Sequence, residues 1–210
     1  MDINQKFTPQ SWPKHPETAT MEGRNKLVGI WIFLASDTVL FASVFATYLA
    51  LKNKGPAGMS SEFLSENLYS LPLAFAMTML LLTSSLTSVY AMYHMRNYNF
   101  KGVQLWMGIT VLLGLSFLCI EIYEFSHYVH MGFGYTHSAF SSAFFTLVGM
   151  HGVHVVIGLL WISSLIIRNS SRGLNLYNAP KYFVASLYWH FIDVIWVFIF
   201  TVVYLMGVLS

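Results

Sequence analysis

Five long apolar stretches, separated by short polar segments, dominate the hydropathy pattern of the chain. A membrane-spanning α-helix needs about 20 predominantly apolar residues, and unpaired backbone groups are costly in lipid, so each stretch is expected to be one unbroken helix. The predicted spans are residues 27–51, 71–90, 103–122, 139–167 and 182–209. The pattern therefore predicts an all-α integral membrane protein, with an N-terminal tail (1–26) and one five-helix transmembrane domain (27–210).

The composition agrees with this fold class. Hydrophobic residues make up 56% of the chain and charged residues only 10%, whereas a soluble domain carries about 25% charged residues. The net charge of +2 indicates no polyanionic partner, so no nucleic-acid binding is expected. A single cysteine, Cys119, excludes an intramolecular disulfide and a cysteine-rich metal site.

The distribution of lysine and arginine predicts the orientation. Nine of these residues fall on one side of the predicted spans: Lys6, Lys14, Arg24, Lys26, Arg96, Lys101, Arg168, Arg172 and Lys181. Only Lys52 and Lys54 fall on the other. Because the positive-rich side of a membrane protein faces the cytoplasm, the N-terminus is predicted inside and the C-terminus outside.

Ionisable residues lie at bilayer depth in four of the five spans. Such groups cost several kcal/mol unless they are paired or hydrated, so each needs a reason. The candidate residues are Asp37, Glu121, Glu124, His151, His154, His190 and Asp193. Six of them form pairs three residues apart, which places each pair on one helix face. They are expected to meet in one hydrogen-bonded cluster inside the bundle.

Several kinds of site fit such a cluster. The pairs read Glu-x-x-Glu, His-x-x-His and His-x-x-Asp, which match poorly the Glu-x-x-His pattern of di-iron bundles. A heme held by His190 and one histidine of the fourth span is geometrically feasible, as is a proton path. A polar network that joins helices or contacts lipid also accounts for these residues.

The remaining features fit packing roles. Gly149, Gly152 and Gly158 are expected to let a neighbouring backbone approach closely. Hydroxyls of the second span are expected to bond their own helix or pack, and do not predict a site: Ser84, Ser85, Thr87 and Ser88. His127, His130 and His137 are expected in an exposed loop.

Four segments carry a resemblance to a known family: WIFLASD at 31–37, EIYEF at 121–125, GMHGVHV at 149–155 and SLYWHFIDVIW at 186–196. Together they resemble subunit III of the heme–copper terminal oxidases in its five-helix bacterial form. The sequence, including RGLNLY at 172–177, most resembles that of the caa-type cytochrome c oxidases, and the quinol oxidases are the alternative branch. The family usually has a glutamate where this chain has Asp37.

The resemblance implies a function. Subunit III of these proton-pumping oxidases holds no heme, copper or other metal and no catalytic residue; the redox centres belong to partner subunits I and II, and a small subunit IV is also expected. The resemblance further implies bound phospholipid, a bacterial plasma-membrane location and a link between the Asp37 carboxylate and proton uptake. A purely structural assembly subunit and a transporter are the competing classes.

Overall fold

A computed structural model describes residues 10–52, 71–130, 134–136, 138–171 and 173–205 of the chain. The described residues are helical apart from short turns, and the five helices are α1 Met21–Leu51, α2 Leu71–Arg96, α3 Phe100–His130, α4 Ala139–Asn169 and α5 Ala179–Ile199. A π-helical segment, Phe200–Leu205, continues α5. All five are long and apolar enough to cross a membrane, which confirms the predicted fold class.

Most helices extend beyond the predicted spans. Helices α1, α3 and α4 each contain 31 residues, about 46 Å at 1.5 Å per residue, whereas the hydrocarbon core is about 30 Å thick. Helix α1 begins at Met21 rather than at 27, because the hydroxyl of Thr20 accepts the N–H of Gly23 and caps the first turn. Hydropathy marks the apolar core of such a helix and misses its polar ends.

The prediction that His127 and His130 lie in a loop was wrong, although their predicted exposure was right. Helix α3 continues to His130, so His127 and His130 are exposed residues in its last turns. The helix persists there because Glu124 and Tyr128 are buried on the face that it presents to the bundle. His137 lies outside the described residues.

Helices α2, α3, α4 and α5 form a ring in which each packs against two neighbours. Helix α1 lies outside this ring and packs chiefly on α4 and α5. Trp189 of α5 fills the centre: a Cβ added to Gly114 of α3 or to Gly158 of α4 would lie 2.7 Å or 3.1 Å from its indole ring. The glycines of α4 thus make room for side chains, not for a neighbouring backbone as expected.

The segment before α1 ties it to the far side of the ring. The indole N–H of Trp12 donates to the carbonyl of Met95 at 3.1 Å, and the buried Glu17 carboxylate pairs with the guanidinium of Arg96 at 3.1 Å. This segment therefore joins the start of α1 to the α2–α3 turn, at the end of the bundle that is rich in lysine and arginine.

Candidate functional site

The carboxylate of Asp37 and the imidazole of His154 meet between α1 and α4. The distance from Asp37 Oδ1 to His154 Nε2 is 3.3 Å, and both side chains are largely buried. Asp37 is the seventeenth and His154 the sixteenth of the 31 residues in their helices, so the pair lies midway along both helices. At that depth a charge is costly unless it is paired, and each residue gives the other its partner.

The second nitrogen of His154 bonds the backbone of its own helix. Its Nδ1 lies 2.7 Å from the carbonyl oxygen of Met150, and because a carbonyl can only accept, Nδ1 is the donor. This bond leaves Nε2 as the nitrogen that faces Asp37.

The ring of Phe41 covers this pair on one side, with its centroid 5.1 Å from that of His154. The hydroxyl of Tyr188 donates to the backbone carbonyl of His154 at 3.2 Å and fixes α5 against the same turn of α4. Asp37 Oδ2 has no hydrogen-bond partner among the described residues. The pair is therefore held firmly, with one carboxylate oxygen still free.

Glu121 and Glu124 form a second group near the end of α3. Glu124 accepts hydrogen bonds from the hydroxyls of Tyr128 and Tyr204, the latter at 3.2 Å. The π-helical segment brings Tyr204 to this position. Both oxygens of Glu121 are buried without a partner in the described part of the chain. The carboxylate packs against Gly152 of α4, where an added Cβ would lie only 2.9 Å from Glu121 Oε1.

His151 stands apart from the other histidines. Its ring is fully buried, and neither nitrogen has a partner within the described ranges. The rings of Phe117 and Trp196 pack on it, with centroids at 6.0 Å and 5.2 Å. This imidazole therefore acts as a core aromatic side chain.

His190 and Asp193 form a third group, between α5 and α2. Ser85 shares a 2.5 Å hydrogen bond with His190 Nδ1, and Ser186 lies 3.5 Å from Nε2. Asp193 is buried on the same face of α5, three residues after His190, but neither of its oxygens has a partner at hydrogen-bond distance among the residues described.

The seven candidate residues are thus inside the bundle, but the described hydrogen bonds do not join them into one cluster. They divide into the Asp37–His154 pair, the Glu121–Glu124 group, the His190–Asp193 group and the isolated His151. The described contacts do not bring His190 against a histidine of α4, since His154 contacts Asp37, His151 packs among aromatic rings and His190 contacts Ser85. No three metal-ligating side chains come together in the described ranges.

The bonds that the α2 hydroxyls make to a neighbouring helix were not predicted. Beyond bonds to their own helix, they bond across to α5: Ser84 accepts the indole N–H of Trp189 at 3.0 Å, Thr78 accepts that of Trp196 at 3.1 Å, and Ser88 bonds Ser186 at 2.7 Å. A signal was present in the sequence, since a buried tryptophan N–H needs an acceptor, and Trp189 and Trp196 lie seven residues apart on one face of α5.

The fold and these groups define a multi-pass helical membrane protein with carboxylates and imidazoles buried between its helices. Residues 12–208 match the family described as Cytochrome c oxidase subunit III. The chain belongs to this family, whose members carry no redox cofactor of their own. It is a multi-pass protein of the bacterial plasma membrane and works within a multi-subunit oxidase.

Similarity to individual proteins extends over the full length. The chain is 64% identical to cytochrome c oxidase subunit 3 of Bacillus sp. (strain PS3) and 60% identical to that of Bacillus subtilis (strain 168), each covering 100% of both chains. It is 49% identical to quinol oxidase subunit 3 of Bacillus subtilis (strain 168), over 88% of this chain and 89% of that protein.

Proposed function

We propose that the chain is the non-redox subunit III of a proton-pumping cytochrome c oxidase, where it supports the catalytic subunit I and sustains its proton uptake. The observation that carries this proposal is the Asp37–His154 pair, in which a carboxylate oxygen and an imidazole nitrogen lie 3.3 Å apart midway along two helices. A carboxylate and an imidazole in contact can accept and release a proton at little cost, since either partner can carry it.

The position of α1 supports this role. Helix α1 lies outside the ring, so the pair occupies the interface of an outer helix rather than the centre of the bundle. The free Oδ2 of Asp37 and the partial exposure of His154 leave a route for proton exchange with a neighbouring subunit or with water. The greater identity to cytochrome c oxidase relatives supports cytochrome c over quinol as the electron donor.

Two grooves along α1 support bound phospholipid as a further part of the proposal. One, of about 350 Å³, lies between α1 and α4 and is mainly apolar. The other, of about 310 Å³, has apolar walls of Phe33 and Trp161 and is also lined by Lys26 and Lys181. Apolar walls beneath cationic groups suit an anionic lipid, and the positive-rich end would face the cytoplasm.

Assembly is tested by tagging the chain, extracting it in mild detergent and identifying the co-purifying chains by mass spectrometry. We expect oxidase subunits I and II and a small subunit IV, together with heme A absorbance. A subunit II with its own cytochrome c domain would support the caa-type assignment. A subunit II without that domain would favour the quinol branch, and a colourless chain that purifies alone would contradict the proposal.

The supporting role is tested by comparing the oxidase with and without this chain. We expect unchanged heme spectra and a near-normal initial rate, because the redox centres lie in the partners, but faster loss of activity during turnover without the chain. Re-addition of the chain should restore durable turnover. Equal durability with and without the chain would reject the role in proton supply.

A further inference from the structure

A groove between α2 and α5 reaches the group formed by His190 and Asp193. It has a volume of about 350 Å³ and is open to the surroundings. Arg96 and Tyr93 line it towards the polar end of α2, and Ser186 and His190 line it deeper, towards the middle of α5. Because these side chains are polar, the groove can hold water at a depth where the remaining walls are apolar.

Hydroxyl and imidazole groups continue from this groove into the protein. The hydroxyl of Ser186 lies 3.5 Å from His190 Nε2, and on the other side of the imidazole the hydroxyl of Ser85 bonds Nδ1 at 2.5 Å. A neutral imidazole has one nitrogen that donates and one that accepts, and a hydroxyl does both. The chain Ser186–His190–Ser85 can therefore be oriented in either direction without moving any heavy atom.

The inner end of this chain is the Asp193 carboxyl. It is 5% exposed, and both oxygens lack a hydrogen-bond partner among the described residues. Asp193 lies three residues after His190 on the same face of α5, and Ser85 bonds the ring of that histidine. A buried carboxyl without partners is costly, so a core built only for packing would not place one there.

We propose that the α2–α5 groove is a water inlet and that Ser186, His190 and Ser85 pass protons between this water and Asp193. A hydronium in the groove gives its proton to the outer end of the chain and becomes water. Each group then passes on its own proton, and Ser85 donates to the Asp193 carboxylate, which becomes a carboxylic acid. Release runs through the same bonds in reverse, with no net change in the relay groups apart from their orientation.

The proposal is tested in the intact oxidase by infrared spectroscopy during transfer from H2O to D2O. The carboxylic C=O band lost in Asp193→Asn identifies Asp193, and the band lost in Glu121→Gln identifies a reference group that is also buried and unpartnered but packs against Gly152. We expect the Asp193 band to shift in D2O well before the Glu121 band. Removal of one relay hydroxyl in Ser85→Ala should slow that shift by about tenfold, the effect of losing one hydrogen-bonded link.

Ser84→Ala is the matched control, because Ser84 is the adjacent hydroxyl on α2 but accepts from Trp189 and stands outside the relay. It should leave the Asp193 exchange rate unchanged. If Ser85→Ala fails to assemble, His190→Gln interrupts the same chain and should give the same slowing. The proposal is overturned if Asp193 has no carboxylic band, exchanges no faster than Glu121, or exchanges at the wild-type rate in Ser85→Ala or His190→Gln. All of these outcomes leave the separate proposal for Asp37 and His154 unaffected.

Discussion

The α2–α5 and α1–α4 interfaces bury polar side chains in different ways. Between α2 and α5, neutral indoles and hydroxyls bond one another, as Trp189 does with Ser84 and Trp196 with Thr78. Between α1 and α4, an ionisable pair, Asp37 and His154, is in contact at 3.3 Å and leaves a carboxylate oxygen without a partner among the described residues. Neutral hydrogen bonds join helices without introducing charge, whereas an ionisable pair adds little packing and places groups that can exchange a proton between helices. The indole–hydroxyl bonds therefore make most of the α2–α5 interface structural, and the His190–Asp193 group is its ionisable exception.

The largest effect on stability is expected from Trp189→Ala. The substitution empties the space between Gly114 and Gly158 and leaves Ser84 without its donor, so the free energy of unfolding should fall by about 3–5 kcal/mol. Denaturant unfolding in detergent, followed by circular dichroism, measures it. Trp31→Ala is the control, since Trp31 is 60% exposed. Equal losses in the two variants would show that Trp189 does not hold the ring together.

A smaller loss is expected from Gly152→Ala. The new methyl group would lie 2.9 Å from Glu121 Oε1, and overpacking of this kind costs about 1–3 kcal/mol. Gly29→Ala is the matched control on α1, because nothing lies within 4 Å of the added Cβ there. The same unfolding measurement compares them, and an unchanged stability of Gly152→Ala would mean that Glu121 can move away freely.

The hydrogen bond between Ser88 and Ser186 should contribute still less to the free energy of unfolding. Ser88→Ala removes one buried hydrogen bond and should lower the unfolding free energy by about 1 kcal/mol. Ser36→Ala should have almost no effect, since Ser36 is exposed and bonds only the carbonyl of Phe33 in its own helix. A loss in Ser36→Ala as large as that in Ser88→Ala would contradict the structural role of the α2–α5 bonds.

The sequence predicts the five helices well because twenty consecutive apolar residues have few alternatives in a membrane. The ends of the helices are harder to predict, as α3 shows. Beyond residue 122 the hydropathy of the sequence falls, yet Glu124 and Tyr128 are buried on the inner face of the helix. Whether a polar residue faces the bundle depends on tertiary packing, which local hydropathy does not record.

The sequence identifies the polar residues of the spans as candidates but does not predict how they pair. Spacing places His151 and His154 near one another on α4, yet one packs among aromatic rings and the other meets Asp37. The role of Ser84 was missed for a similar reason. A hydroxyl in a membrane helix commonly bonds its own backbone, as Thr83 does with Met79, and only the neighbouring helix decides whether it also bonds across.

We propose that Asp37 and His154 act as one unit that sustains proton supply to the oxidase. The most direct test measures the rate of activity loss during turnover in the wild type, Asp37→Asn, His154→Gln and the double variant, with Ser36→Ala as the control. We expect both single variants to lose activity faster with unchanged heme spectra, and the double variant to be no worse than the more severe single one, because residues that act as a unit are not additive. Wild-type durability in Asp37→Asn, or independent effects that multiply in the double variant, would contradict the account.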